Sequence, residues 1–236
     1  MVEGAGVAER AGAVEGAGAA RGAGMDGPDL CGLVLAAGAG TRFGGPKALA
    51  HGPDGPWLAE AVRVLRDGGC GRVVVVLGAA AERARPLVPE DPHVHVVLAE
   101  RWDRGAGESL RTGLAHASGD AVVVMLVDLP GTPVSVVRRV LAGGVDAGTL
   151  RRAVYAGRPG HPVVLGRDHW RPLSADLAAD LPADLAAADS TTGGPGSVPP
   201  PASRAAADHG ARHYLRSHGV ERVECSDLHH GRDVDT

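Results

Sequence analysis

LAAGAGTRFGGPKAL, residues 35–49, follows a short apolar run (30–37, LCGLVLAA) that breaks into glycines. An apolar run of that length closed by turn residues predicts a buried strand. The loop after it holds four glycines, Arg42 and Lys47. Lys47 is the single lysine: of 24 Lys+Arg, 23 are arginine. Glycine permits positive φ and close approach, so backbone N–H groups can converge on an anion there. Arginine clamps phosphate oxygens in pairs, and lysine offers a compact charge on a flexible stem.

Downstream, 57–66 (WLAEAVRVLR) has helical spacing and stops at Gly68-Gly69. Buried strands are expected at 72–77 (RVVVVL), 94–98 (VHVVL) and 121–127 (AVVVMLV). An Ala-rich helix is expected up to Pro86, with further helices at 107–117 and 133–141. The strands are continuous Val/Leu runs rather than alternating ones. That pattern implies a mostly parallel sheet covered on both faces, a three-layer α/β/α fold. Ligands in such sheets bind beyond the carboxyl ends of the strands, where the glycine loop and Asp128 both lie. After residue 150, 153–166 reads as a hairpin flap, 167–181 as weakly helical, 208–218 as a helix and 220–225 as a last strand. Residues 1–28 are Gly/Ala low complexity, an expected disordered tail. Residues 29–236 are read as one domain with a Pro/Ser/Gly/Ala-rich insertion at about 182–207.

Composition excludes some classes. The chain has 236 residues and a net charge of −4, with no basic face to suggest nucleic-acid binding. No 18-residue apolar run predicts a membrane span. Three separated cysteines without a CxxC pair suit reduced thiols in a cytoplasmic protein.

Other readings of the loop leave residues unexplained. A P-loop needs GxxxxGK[ST], and Ala48 follows Lys47. A GxGxxG fingerprint finds Phe43 in place of its third glycine. A plain turn accounts for the glycines but not for Arg42 and Lys47.

The segment resembles LAAGxSxRxGxxK, the signature of the MobA/MocA-like NTP transferases, the molybdenum-cofactor nucleotidyltransferases. Leu35, Ala36, Ala37, Gly38, Arg42, Gly44 and Lys47 match, and Gly40 stands where serine is usual. Gly105-Ala-Gly-Glu-Ser109-Leu110-Arg-Thr-Gly113-Leu114 resembles the family's GxxxSLxxGL, with Glu108 at a position where a small residue is usual. Asp128-Leu-Pro130 resembles its Asp-x-Pro. Gly160-His161-Pro162-Val163 resembles its GHPV, 208–212 its GDxGAR, and Asp233-Val-Asp235-Thr236 its closing DIDT.

The resemblance implies a Rossmann-like, GT-A-like nucleotidyltransferase fold and an Mg²⁺-dependent enzyme. Leu35, Ala36, Ala37, Gly38, Gly40, Arg42, Lys47, Ser109 and Asp128 would bind the nucleotide, with Arg42, Lys47 and Asp128 catalytic. Asp128 and Asp235 would hold the metal. Gly160, His161 and Pro162 would meet the acceptor. LAAG rather than LAGG favours CTP over GTP, and molybdopterin is the implied acceptor, with a molybdoenzyme or chaperone as protein partner. Two alternatives stay open: a guanylyltransferase or other NTP transferase with a different phosphorylated acceptor, and a non-catalytic nucleotide-binding module. A dinucleotide-dependent oxidoreductase is disfavoured by the broken fingerprint.

Overall fold

A computed structural model describes residues 27–179 and 211–234. The elements run β1 (Leu30–Ala36), the two-residue strands β2 (His51–Gly52) and β3 (Gly55–Pro56), α1 (Trp57–Asp67), β4 (Arg72–Leu77), α2 (Ala81–Ala84), β5 (Val94–Leu98), α3 (Ala106–His116), β6 (Ala121–Leu126), α4 (Val134–Leu141), β7 (Leu150–Tyr155), β8 (Arg158–Gly166), α5 (Trp170–Ala179) and β9 (Glu221–Glu224). A helix at 211–217 precedes β9. The tail at 1–26, the 182–207 insertion, residues 208–210 and Asp235 lie outside the described residues.

The central sheet has the order β5-β4-β1-β6-β8-β7-β9. The first four are mutually parallel, β8 is antiparallel to β6 and β7, and β9 is parallel to β7. The Val/Leu runs of β1, β4 and β6 are buried on both faces because successive side chains alternate between two cores. Val34, Val73, Val75, Val123 and Met125 join the core under α1 and α4, whereas Leu33, Val74, Val76, Val122 and Val124 join the core under α3 and α5. The result is three layers, as expected. At Gly113 of α3, a Cβ would press into the Leu33 side chain, so glycine lets the helix lie close on β1.

Three elements differ from the sequence expectation. The strand expected to be buried at 94–98, β5, lies at the sheet edge and is only half-buried, with Leu98 48% exposed. The segment at 153–166 is not a flap: β7 and β8 lie inside the main sheet, with Val163, Val164 and Leu165 buried. Their turn is the two-residue pair Ala156 (φ 51°) and Gly157 (φ 74°), both left-handed, which suits the twist of a tight hairpin. The Ala-rich helix shrinks to α2, one turn, followed by a 3₁₀ turn at Arg85–Leu87 that contains Pro86.

Candidate active site

The glycine loop leaves the carboxyl end of β1, at the centre of the sheet, and folds on itself. The Gly40 carbonyl accepts from the N–H groups of Phe43 (3.0 Å) and Gly45 (3.1 Å). Gly40 sits at φ 59°, and a Cβ there would overlap the Gly45 carbonyl oxygen. Glycine at this position, where the family's signature has serine, therefore belongs to the loop's own conformation. Phe43 packs against Trp57 of α1, with ring centroids 5.6 Å apart, and ties the loop to the helix layer. Pro46 then caps a 3₁₀ turn, Lys47–Leu49, whose middle residue Ala48 is buried.

This turn brings Lys47 to Asp128. Lys47 Nζ donates to Asp128 Oδ2 at 2.9 Å, and both side chains are largely covered, at 13% and 19% exposure. Lys47 Nζ also lies 5.8 Å from the Phe43 ring centroid. The second carboxylate oxygen, Asp128 Oδ1, is buried with no hydrogen-bond partner among the described residues. A buried carboxylate oxygen without a donor is costly unless a cation completes it. The hard oxygen of a carboxylate facing a phosphate loop is a fitting Mg²⁺ or Mn²⁺ ligand. Among the described residues no group of three or more His, Cys, Asp or Glu converges on a metal position. Asp235, the expected second ligand, lies outside the described residues. The segment leading to it does return to the site, since the Val234 N–H donates to the Asp128 carbonyl at 3.0 Å.

Around the pair lies a cavity of about 340 Å³, lined by residues 35–42, Lys47, Ala48, Trp102, Gly105, Ala106, Ser109 and 126–128. Every nucleotide-binding residue expected from sequence lies on its wall. Gly105 (φ 111°) caps α3, whose N-terminus opens on the cavity. The unpaired N–H groups and partial positive charge of a helix start favour an anion there. Trp102 had no motif to mark it. Glu108 lines neither this cavity nor its neighbour. It is buried and held by Arg111, which donates Nε to Oε2 (2.9 Å) and Nη2 to Oε1 (2.7 Å).

A second cavity of about 780 Å³ adjoins the first and shares Leu35, Ala106 and Leu126 with it. Gly160 and His161 line it, and Pro162 follows through a cis peptide. His161 Nδ1 donates to the Val124 carbonyl at 3.3 Å. Burial, helped by nearby Arg152 and Arg212, pushes its pKa down to about 4. The ring is therefore neutral at physiological pH. Arg152 and Arg212 also line this wall, and neither was among the site residues expected from sequence.

Residues 32–190 match the MobA-like NTP transferase domain. The chain belongs to this family. It is 34% identical to nicotine blue oxidoreductase of Paenarthrobacter nicotinovorans over 215 residues, 89% of this chain and 94% of that one. It is also 34% identical over 107 residues to a protein of Rhodopirellula baltica assigned as a molybdenum cofactor guanylyltransferase, covering 44% of this chain and half of that one. Among solved structures, Rv0371c of Mycobacterium tuberculosis superposes with a TM-score of 0.64 at 26% identity, over 90% of this chain and 95% of that chain. A manganese complex of Rv0371c also superposes, with a TM-score of 0.58 at 26% identity, over 83% of this chain and 88% of that chain. The fold is thus the Rossmann-like fold of the nucleotidyltransferases, and family membership makes the chain a transferase of that type. Among the described residues no helix is long and apolar enough to cross a membrane.

Proposed function

We propose that this chain transfers a nucleotidyl group from an NTP, with CTP favoured, to a phosphorylated acceptor, with molybdopterin the leading candidate. The observation that carries the reading is the Lys47–Asp128 pair, with Asp128 Oδ1 unpartnered, on the wall of a glycine-loop cavity. The CTP preference rests on Ala37 in the LAAG start of the loop, and the acceptor on family resemblance.

In this reading the loop amides, Arg42 and Lys47 hold the triphosphate, and the start of α3 with Ser109 faces the rest of the nucleotide. Asp128 Oδ1, with Asp235 as a proposed second carboxylate, would hold a divalent cation. When bound, that cation supplies charge neutralisation on the phosphates. An acceptor phosphate oxygen attacks the α-phosphorus, a new P–O bond forms, and the bond to the β-phosphate oxygen breaks to release pyrophosphate. The attacking phosphate is already ionised at neutral pH, so no strong general base is needed. The protein positions the groups and offsets charge. Neutral His161 suits contact with the acceptor rather than proton transfer.

The test is a panel of NTPs with Mg²⁺ and molybdopterin, reading pyrophosphate release. CTP-dependent release supports the proposal, and NTP binding without release favours a binding module. A second reading has one specific support: the oxidoreductase relative matches over 94% of its own length. Binding of NAD(P) and not of any NTP would favour it and overturn nucleotidyl transfer.

A further inference from the structure

Among the described residues, the second cavity is lined by three arginines, Arg152, Arg212 and Arg216, against one carboxylate, Asp233. Arg152 projects from β7, an inner strand of the sheet. Its Nη2 donates to the Gly160 carbonyl at 3.1 Å, but its Nε is buried with no hydrogen-bond partner among the described residues. Burial and the positive charges of Arg222 and Arg212 lower its pKa. Arg222 itself donates to the Gly157 carbonyl. Arg212 forms no hydrogen bond or ion pair among the described residues. A half-buried guanidinium whose buried Nε has an empty donor, beside two like charges, is unfavourable unless an anion completes it.

The position of Arg152 separates it from the triphosphate. It pairs across the sheet with Val163, which pairs with Val124 of β6. Two strand spacings span roughly 10 Å, and the four residues from Val124 to Asp128 add on the order of 13 Å along the chain. One phosphate group cannot bridge Asp128 and Arg152.

We propose that Arg152 and Arg212 form a second anion subsite, which takes a phosphate or carboxylate at the end of the acceptor remote from its attacking phosphate. This rests on reading the second cavity as the acceptor's. Two guanidiniums present forked donors to such an oxyanion. Neutral His161 adds a polar wall without a competing charge. The acceptor is then an elongated dianion or polyanion, with its two acidic groups held in different cavities. That favours the alternative of a different phosphorylated acceptor over molybdopterin, whose single phosphate is the attacking one.

The experiment is calorimetric titration of the full chain carrying Lys47→Ala, which removes the first cavity's lysine, with inorganic phosphate and separately with malonate. Saturable binding of either is expected, weakened about tenfold or more by an added Arg212→Gln, the loss of a charge-assisted hydrogen bond. Arg212 is exposed at the surface, so this change spares the core. Arg152→Lys should retain more binding than Arg152→Gln. The tighter of the two titrants names the class of the group. No saturable binding, or binding equal with and without Arg212→Gln, overturns the subsite. The titration needs no turnover, so its result and that of the pyrophosphate assay are separable. Anion binding lost with Arg212 but no pyrophosphate release leaves the subsite standing and removes the transfer reading. Pyrophosphate release with an acceptor KM unmoved by Arg212→Gln removes the subsite alone.

Discussion

Lys47 Nζ and Asp128 Oδ2 lie 2.9 Å apart although 81 positions separate them in the chain. The glycine loop after β1 and the turn after β6 meet there because β1 and β6 are adjacent parallel strands whose carboxyl ends point the same way. The lysine takes one carboxylate oxygen and leaves the other, Oδ1, buried and open. In the proposed function, a triphosphate entering this cavity would compete for the ammonium, and a divalent cation would take the remaining carboxylate oxygen.

Lys47→Ala removes the ammonium and leaves the carboxylate without its cation. Pyrophosphate release should fall at least about a hundredfold, the scale of losing one charge stabiliser of a transition state. Lys47→Arg should not restore it, because a planar fork does not fit where a compact ammonium sits. Asp128→Asn, nearly isosteric, should keep the fold and abolish the dependence of NTP binding on Mg²⁺ or Mn²⁺. Thermal melts check the fold in each case. Full turnover by Lys47→Ala or by Asp128→Asn would sink the mechanism.

Gly40→Ser restores the residue of the family's signature, yet it should damage this protein. The new Cβ would overlap the Gly45 carbonyl, at a φ of 59° that L-residues rarely adopt. Strain of about 1–3 kcal/mol is expected, relieved by opening the loop. NTP affinity by calorimetry should drop about tenfold or more. An unchanged affinity would mean that the loop tolerates both forms.

Much of this was legible in the sequence, and the reasons are local. The runs 72–77 and 121–127 declared two-sided burial, so a layered parallel sheet followed. The glycine loop and Asp128 were placed at strand ends by their order alone. Direct pairing of Lys47 with Asp128 was not legible, because it depends on strand order, which no local pattern encodes. The place of β7 and β8 inside the sheet was missed because 153–166 carries Gly157, Pro159, Gly160 and Pro162, a composition that reads as a flap. Half-buried Arg152 was hidden the same way: a charged residue in a strand looks like a solvated face until its neighbours are known.

Glu108 departs from the small residue usual at this motif position, and it lines neither cavity. Arg111→Ala should destabilise the fold by about 1–3 kcal/mol, since it strips a buried carboxylate of both its hydrogen bonds. The double change Glu108→Ala with Arg111→Ala should recover most of that loss, because the charge goes with its partner. Neither should shift the preference among NTPs. Urea midpoints read the first effect and KM ratios for CTP and GTP read the second. A changed nucleotide preference in the double variant would put Glu108 back in base recognition.

His161 should make the stability of this protein fall in mild acid. Its pKa is held down to about 4 in the folded chain, against an ordinary value of 6.5. Burial is the main cause, Arg152 and Arg212 add to it, and the bond to the Val124 carbonyl opposes it. Above pH 6.5 the ring is neutral in both states and exerts no pH dependence. Below 6.5 the unfolded chain takes a proton that the folded chain refuses until about pH 4. Stability is therefore lost as pH falls from 6.5 towards 4, then levels off, by roughly 3 kcal/mol at most. His229, also lowered by burial, adds in the same direction. Urea midpoints measured from pH 4 to pH 8 should show this slope, and His161→Gln should flatten most of it. The same ring gives no inflection in the rate profile between pH 6 and 8, as a neutral acceptor contact requires. An NMR titration that finds His161 protonating near its ordinary value would overturn both expectations.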